Sequence, residues 1–349
     1  MALPRDVASP AAEGPAASAV PASLPSIAAR TGMRVLVVST SKDPNPKVTV
    51  LLFPHGSDQP ALALKVPTTD SAEAAVERER RVLEELHRRI EDPAIAATIP
   101  RPEGWVPVDG RKAMLTTALP GVPMTTPYHR WRHTARQERV EADLRAAGSW
   151  LETFQHATGG SPGPLDPSGP VADRLADRFA GRPNLEVDLE RFAAIRDRLR
   201  RELVPRAASH GDLWCGNILA DDGRVTGVVD WELATAEGDP GRDLVRFVLT
   251  YALYLDRHTR RSGAIAGHQG LRADRWGVGI DHALDGAGWF PDLVRGFLKA
   301  GLARLGASPD RWWDAALAGV IDVAATADHD GFAARHLEIF HRLSERMGG

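Results

Sequence analysis

Residues 209–232 read SHGDLWCGNILADDGRVTGVVDWE, and a tight-turn signal lies near the middle of this stretch. Asp222-Gly223 is the strongest short-range hairpin signal, because a type I′ turn needs positive φ at both central residues. Apolar residues flank the turn on both sides. A two-residue turn centred there pairs Ala220 with Val225 and predicts a β-hairpin.

The same register pairs Asn217 with Val228 and brings Asn217 and Asp230 to the open end of the hairpin. Cross-strand neighbours stand about 5 Å apart and diagonal neighbours roughly 7–8 Å apart, so both side chains can reach one small cation. Mg²⁺ suits them, because it takes one or two protein carboxylates and completes its shell with water and phosphate oxygens. Asp212 lies in the loop that leads into the open end of the hairpin, and it is free for a role other than metal binding. Singly these are ordinary turn residues, but together they predict a chemical site.

Three apolar runs between residues 34 and 67 predict an antiparallel meander. They read RVLVVST, KVTVLLFP and ALALKVP, and the turn between the first two, STSKDPNP, contains no glycine. In the third run Lys65 shares its face with Ala61 and Ala63. These small neighbours leave room for a ligand beside the lysine.

A helix is predicted directly after the meander. Asp70 with Glu73 three residues later resembles a capping box, and strong helix formers follow. The apolar stripe has a vacancy that Glu79 fills, and a carboxylate on the buried side of a helix needs a partner. Lys65 on the adjacent strand is the natural one. The stripe comprises Val76, Leu83, Leu86 and Ile90.

The rest of the chain divides at a Pro-Gly break at residues 119–123. A hairpin over residues 105–117 completes a predicted five-stranded sheet with one helix. From about residue 124 five segments show helical periodicity, at residues 136–157, 190–204, 243–259, 290–306 and 309–330. Residues 159–170, GGSPGPLDPSGP, predict an exposed loop. We therefore expect a disordered tail at residues 1–31, a sheet-containing lobe at 32–118 and a helical lobe at 119–349.

Composition excludes several classes of protein. The chain has 349 residues, 26% of them charged, and a net charge of -3, so neither nucleic acid nor an anionic membrane is an expected partner. Its one cysteine permits no intrachain disulfide and agrees with a reducing, cytoplasmic location. No apolar run approaches the roughly 20 residues that span a bilayer, and the tail lacks the features of a secretory signal.

The motifs together resemble the aminoglycoside phosphotransferase and choline kinase-type family, a branch of the protein-kinase-like fold. HGDLWCGN at 210–217 matches the H-G-D-x-x-x-x-N catalytic loop, and VDWE at 229–232 matches the metal-binding D-W-E motif. Asp239-Pro240 and Asp243-Leu244 are similar to the G-D-P…D-L stretch that follows. The resemblance covers roughly residues 32–250. It implies a two-lobed α+β fold, with a small antiparallel sheet and one helix in the first lobe and a larger, mainly helical second lobe.

The resemblance and the residue chemistry assign the same roles at the hairpin. Asp230 and Asn217 would hold Mg²⁺ against nucleotide phosphates, and Asp212 would accept or orient the proton of an acceptor hydroxyl. His210 is expected to brace the loop by hydrogen bonding, and Asp243 to be structural.

The resemblance also predicts the nucleotide site for ATP or GTP. Lys65, steadied by Glu79, would pair with the α- and β-phosphates. Backbone groups near Thr117 and Leu119 would bind the purine edge. The glycine-free first turn departs from the family, because it cannot copy a glycine-rich phosphate loop. Glu232 is left open between a group near the metal and a substrate contact.

These observations favour a small-molecule kinase that transfers the γ-phosphate to a hydroxyl of an antibiotic or metabolite, such as an aminoglycoside, a nucleoside antibiotic or a sugar. A catalytically weak nucleotide-binding pseudokinase and a metal-dependent hydrolase are the alternatives. A nucleophilic Cys215 is disfavoured, because no oxyanion-hole glycine elbow surrounds it. A polycationic aminoglycoside would need an acidic cleft, for which the candidates are Asp322, Asp328 and Asp330; the arginine-rich RHTRR at 257–261 counts against one.

Overall fold

The computed structural model describes residue 29 and residues 32–40, 45–168 and 171–347. Within them a five-stranded sheet precedes a mainly helical region, so the predicted α+β architecture is confirmed. The predicted tail at residues 1–31 lies outside the described residues apart from position 29. We retain residues 32–118 and 119–349 as the proposed two lobes. In the described part of the chain, no helix has the length and apolar character that crossing a membrane requires.

The sheet has the strand order β1-β2-β3-β5-β4, and every neighbouring pair is antiparallel. This order confirms the predicted meander and the hairpin that joins it. Alternation along the strands buries one apolar face as a compact cluster. The strands are β1 Arg34–Thr40, β2 Lys47–Phe53, β3 Leu62–Pro67, β4 Pro102–Val108 and β5 Arg111–Thr117.

Helix α1, Asp70–Arg89, joins the sheet region to the helical region. Its N-cap is Thr69, whose side chain accepts a hydrogen bond from the amide of Ala72 at 3.2 Å. The predicted cap at Asp70 is wrong by one residue; Asp70 instead begins the helix, where its charge suits the positive end of the helix dipole. The apolar stripe is buried within the core of the helical region. Arg89 fastens the far end of α1 by donating to two carbonyls of that region at 2.6 Å.

The helical region contains more helices than the sequence patterns predicted. The predicted helix at 190–204 ends early, because residues 203–205 form a strand. The five predicted segments do not include the helices Thr125–Tyr128, Ala172–Arg178 and Val278–Asp285, and they share only Asp330 with the helix Asp330–Ser344. The helices are α2 Pro93–Ala96, α3 Thr125–Tyr128, α4 Gln137–Ala157, α5 Ala172–Arg178, α6 Leu185–Leu199, α7 Pro240–Leu253, α8 Val278–Asp285, α9 Trp289–Arg304, α10 Trp312–Thr326 and α11 Asp330–Ser344, with short 3₁₀ turns at Pro309–Arg311 and Glu345–Met347.

Short strands connect the helices. They are β6 Val122–Pro123, β7 Pro162–Pro164, β8 Leu203–Pro205, β9 Ala207–Ser209, β10 Ile218–Asp221, β11 Arg224–Val228 and β12 Thr235–Gly238. The prediction of an exposed loop at 159–170 is wrong over residues 162–168. There β7 pairs with β8, Leu165 is fully buried, and Asp166 forms an ion pair with Arg196 at 2.7 Å.

The segment after β5 packs against the hairpin formed by β10 and β11. Strand β6 pairs with β10 to make a three-stranded sheet with β11. Gly121, at φ +105°, approaches so closely that a Cβ there would lie 2.2 Å from Thr226 Oγ1. Only glycine combines that backbone angle with that contact, so the break at 119–123 sets the approach of the sheet to the hairpin.

Candidate active site

The hairpin turn forms as predicted. Asp222 and Gly223 both have positive φ, +46° and +74°, and Ala220 pairs with Val225. The register then shifts between Leu219 and Ala220. One extra residue on the second strand, a β-bulge, produces this shift.

The bulge changes which residues share the open end. Val228 faces Ile218, so the predicted pairing of Asn217 with Val228 is wrong by one position. Asn217 instead accepts a hydrogen bond on its carbonyl from the amide of Val229 at 2.9 Å. Asp230 follows Val229 directly, so this bond brings the backbones of Asn217 and Asp230 close together.

A side chain of helix α7 binds the backbone of the loop that precedes the hairpin. The Asp243 carboxylate accepts hydrogen bonds from the amides of His210 at 2.6 Å and Gly211 at 2.8 Å. Gly211 has φ +82°, and a Cβ there would lie 2.3 Å from the carbonyl oxygen of Leu233. The buried His210 ring also bonds through Nε2 to the carbonyl of Val229 at 2.9 Å. The contacts expected of a bracing His210 and a structural Asp243 are therefore present.

The side chain of Asp212 is held by a residue that the sequence patterns did not indicate. Arg246 donates to Asp212 Oδ1 through Nε at 3.0 Å and Nη2 at 2.6 Å. Asn217 Nδ2 donates to the Asp212 carbonyl at 3.0 Å and makes a long contact of 3.5 Å with Oδ2. Arg246 lies three residues after Asp243, on the same side of α7. One helix thus positions both the backbone and the carboxylate of this loop and leaves Oδ2 the freer oxygen.

The predicted ion pair between the strand lysine and the helix glutamate is confirmed. Lys65 Nζ lies 2.6 Å from Glu79 Oε1 and 2.9 Å from Asp230 Oδ1. Burial alone would lower the pKa of the Lys65 ammonium, but the charges of Asp230 and Glu79 outweigh it and raise the pKa. Burial would raise the pKa of Asp230, and the nearby ammonium of Lys65 lowers it instead. Asp230 is therefore a carboxylate aimed at cations.

The tryptophan that follows Asp230, Trp231, has a packing role. Its ring is fully buried, with its centroid 4.7 Å from that of His210 and 5.5 Å from that of Phe154. Its amide donates to Glu79 Oε1 at 3.0 Å. The tryptophan anchors the D-W-E segment in the helical core while its backbone binds the same glutamate as Lys65.

The site contains a second lysine that was not predicted from the sequence. Lys47, the first residue of β2, is only 6% exposed, and its ammonium lies 3.3 Å from Asp230 Oδ1. The same ammonium pairs with Glu232 Oε2. Glu232, whose role was left open, is thus an ion-pair partner of Lys47. A possible signal was the position of Lys47 immediately after a turn that lacks glycine.

The residues at the hairpin end suit Mg²⁺ together with a phosphate ligand. Asn217 directs Nδ2 toward Asp212, which leaves its amide oxygen available, and Asp230 is 34% exposed at a strained φ of +69°. Among the described residues no group of three or more His, Cys, Asp or Glu is arranged to hold a metal ion. One carboxylate and one amide oxygen match the few protein ligands that Mg²⁺ takes when phosphate oxygens complete its shell.

Residues 53–276 match a family described as the phosphotransferase enzyme family, and this match covers more than half of the chain. The chain belongs to that family. The resemblance inferred from the motifs is thereby confirmed. Comparison with curated proteins found no match.

Solved structures share the fold of this family member. Aminoglycoside phosphotransferase APH(4)-Ia, a thermostable mutant in complex with AMP-PNP and hygromycin B, is 14% identical and has a TM-score of 0.56, with 94% of this chain and 99% of that chain covered. The streptomycin–ATP complex of APH(2")-IIa is 13% identical with a TM-score of 0.52, covering 91% and 94%. ADP-bound APH(2'')-Ib is 14% identical with a TM-score of 0.51, covering 92% and 97%. At these identities the likeness shows the fold alone.

The predicted purine contact near Thr117 and Leu119 stays a prediction, and the hydrogen bonds of Thr117 restrict which groups could make it. The Thr117 amide donates to the Arg101 carbonyl at 2.9 Å, and the Thr117 hydroxyl accepts from the Arg101 amide at 2.9 Å. The Thr117 amide is therefore not a free donor for a purine edge. Leu119 begins the connecting segment and packs across Gly227 of the hairpin; its role toward a purine stays a prediction.

The lone cysteine lies in the core rather than on the site surface. Cys215 is 1% exposed, and burial, reinforced by the charge of Asp143, raises the pKa of its thiol to about 12. Nucleophilic attack requires a thiolate, which this environment disfavours.

We expect Cys215→Ser to keep most of the activity, because no covalent intermediate on its buried sulfur is expected. Cys215→Ala serves as a second variant, since it adds no buried hydroxyl. The measurement is kcat/KM beside thermal unfolding. A loss of about a thousandfold, ~4 kcal/mol of activation free energy, in a well-folded variant would restore the nucleophile hypothesis.

Proposed function

We propose that this chain is a small-molecule kinase, a phosphotransferase that moves the γ-phosphate of ATP or GTP to an alcohol group of an antibiotic or metabolite. One observation carries the proposal. Lys65 and Asp230, separated by 165 positions in sequence, meet at 2.9 Å beside the contact between Asn217 and Asp212. Phosphoryl transfer requires this kind of convergent charge and positioning more than covalent chemistry.

The chain supplies groups for both halves of such a reaction. When bound, Mg²⁺ and the nucleotide would provide charge neutralisation and the transferable phosphoryl group. Asn217 and Asp230 would hold the metal. Lys65, kept in place by Glu79, would bind phosphate oxygens.

Asp212 would act on the acceptor. Arg246 donates twice to Oδ1, whereas Oδ2 has only the long contact of 3.5 Å from Asn217 Nδ2, so Oδ2 is the oxygen that would meet a hydroxyl. Asp212 would accept the proton that the hydroxyl loses as its oxygen bonds to phosphorus. Arg246 would act as a positioning residue that orients the Asp212 carboxylate.

Two alternatives are less well supported. A pseudokinase would have no need for a held carboxylate at Asp212 beside Asn217 and Asp230. A metal-dependent hydrolase would have no need for the sheet that delivers Lys65 to Asp230.

The ion pairs of Asp212, Asp322 and Asp330 favour a neutral or anionic acceptor over a polycation. Of the carboxylates considered for an acidic cleft, Asp322 is buried and lies 3.3 Å from Arg242, and Asp330 lies 2.7 Å from Arg178. Arginines thus already neutralise these two carboxylates. This pairing weakens the case for these two residues as the acidic cleft that an aminoglycoside would need.

A charge-matched acceptor panel tests this proposal. The panel contains aminoglycosides, neutral sugars and nucleosides, amino alcohols, and sugars that carry a carboxylate, each with Mg²⁺ and ATP or GTP. We expect phosphate-ester formation with a neutral or anionic member. Preferential phosphorylation of a polycationic aminoglycoside would contradict the acceptor class while leaving the kinase proposal intact.

Lys65→Ala should weaken nucleotide binding and reduce kcat/KM strongly, because the variant loses a charge-assisted contact to phosphate. Glu79→Gln should do so less severely, with the fold retained. Lys112→Ala is the matched control, since Lys112 is a lysine of the same sheet with a 63% exposed side chain. Calorimetry with ATP and GTP and steady-state kinetics provide the measurement. Near-normal kcat/KM in Lys65→Ala would remove the lysine from the nucleotide site.

A further inference from the structure

Lys47 shares the inner face of the sheet with Lys65. In the pairing of β2 with β3, Thr49 lies opposite Lys65 and Lys47 lies opposite Pro67. Residues two apart on a strand point to the same side, so Lys47, Thr49 and Lys65 present one face toward Asp230. The two ammonium groups approach the same oxygen, Asp230 Oδ1, at 3.3 Å and 2.9 Å.

A metal ion at Asp230 would displace this arrangement. Like charges repel at such distances, so an ammonium bound to Asp230 must withdraw when Mg²⁺ takes that carboxylate. Lys65 keeps Glu79 as its partner and Lys47 keeps Glu232. Each lysine would then stay in the site on its remaining carboxylate partner and keep donors for another ligand, because an ammonium has three.

The first turn of the sheet creates a need for that second charge. STSKDPNP contains no glycine, so it cannot wrap phosphates with the closely approaching backbone amides that glycine permits. Lys47 follows this turn directly in the sequence, and its ammonium can supply positive charge to a phosphate in place of the backbone amides. Lysine serves as a point-charge phosphate ligand elsewhere in proteins.

We propose that Lys47 is a second phosphate-binding cation of the nucleotide site and that Glu232 positions it. This inference rests on the proposed kinase function. The ligand is the polyphosphate chain of the nucleoside triphosphate, and Lys47 takes over part of the work of a glycine-rich loop.

Calorimetry with adenosine, ADP and ATP, each with Mg²⁺, tests the proposal on four proteins: wild type, Lys47→Met, Glu232→Gln and the double variant. Lys47→Met should weaken ATP and ADP binding about tenfold or more, as expected for hydrogen bonds to charged groups. Adenosine binding should be unchanged, because it has no phosphate. Lys112→Met is the control, and thermal unfolding monitors the fold.

The double variant separates phosphate binding from a purely structural ion pair. If Lys47 only neutralises Glu232, replacing both should restore ATP affinity, because no unpaired buried charge remains. If Lys47 binds phosphate, the double variant stays as weak as Lys47→Met. Restored affinity, or equal losses for adenosine and ATP, would overturn the assignment. Failure of the wild type to bind any nucleotide would overturn the kinase proposal as well, which distinguishes the two failures.

Discussion

Asp230→Ala should abolish turnover and remove the Mg²⁺-dependent part of nucleotide affinity. In the wild type, Asp230 is the one carboxylate in the proposed metal site, and Lys47 and Lys65 both converge on it. Its loss removes the metal ligand and leaves two ammonium groups that still attract phosphate. We therefore expect ATP or GTP to bind the variant with similar affinity in Mg²⁺ and in EDTA.

The size of this effect follows from the charge involved. Removing one preorganised group that stabilises transition-state charge costs about 10²–10³-fold in rate, and loss of the metal adds to it. Asp221→Ala is the control, because Asp221 is an exposed aspartate of the same hairpin. If Asp230→Ala keeps a normal Mg²⁺-dependent gain in affinity, the metal lies elsewhere.

Asp212→Asn should leave Mg²⁺-nucleotide affinity nearly unchanged while kcat falls. Asparagine retains the shape and can still accept from Arg246, but it cannot take the hydroxyl proton. Positioned proton transfer is typically worth about 10²–10⁴-fold, so the loss should lie in that range or beyond. Calorimetry and steady-state kinetics on the same preparation measure the two quantities.

Comparing the two variants distinguishes the two roles. Asp212→Asn is expected to lose turnover alone, and Asp230→Ala to lose turnover and metal-dependent binding together. The reverse result, with nucleotide binding lost in Asp212→Asn and kept in Asp230→Ala, would exchange the roles and refute the assignment drawn from the hairpin.

The elements that were predicted correctly carry local signals. The turn at Asp222-Gly223 follows from backbone φ, and the burial of Glu79 follows from the spacing of its helix. Once a carboxylate is placed on a buried face, the lysine of the neighbouring strand is the obvious partner. Local periodicity and turn chemistry thus accounted for the sheet, α1 and the hairpin.

The features that were missed depend on contacts between distant parts of the chain. Lys47 contacts Glu232, which lies 185 positions away. The glycine-free turn before Lys47 is a signal for a cation there, but it does not identify Glu232 as the partner. Arg246 reaches Asp212 only because α7 lies beneath the loop. The β-bulge and the burial of Leu165 likewise depend on tertiary packing, which overrides local propensity. The two missed cations are both charged partners of carboxylates that had been identified.

Phosphorus NMR on the wild type with Mg²⁺, ATP or GTP and the acceptor panel shows whether the γ-phosphate reaches an acceptor hydroxyl. We expect a new phosphomonoester resonance that grows in step with ADP or GDP and is missing with Asp212→Asn on the same timescale. Conversion to inorganic phosphate alone, at an undiminished rate with every acceptor left unmodified, would contradict the kinase proposal and support the hydrolase.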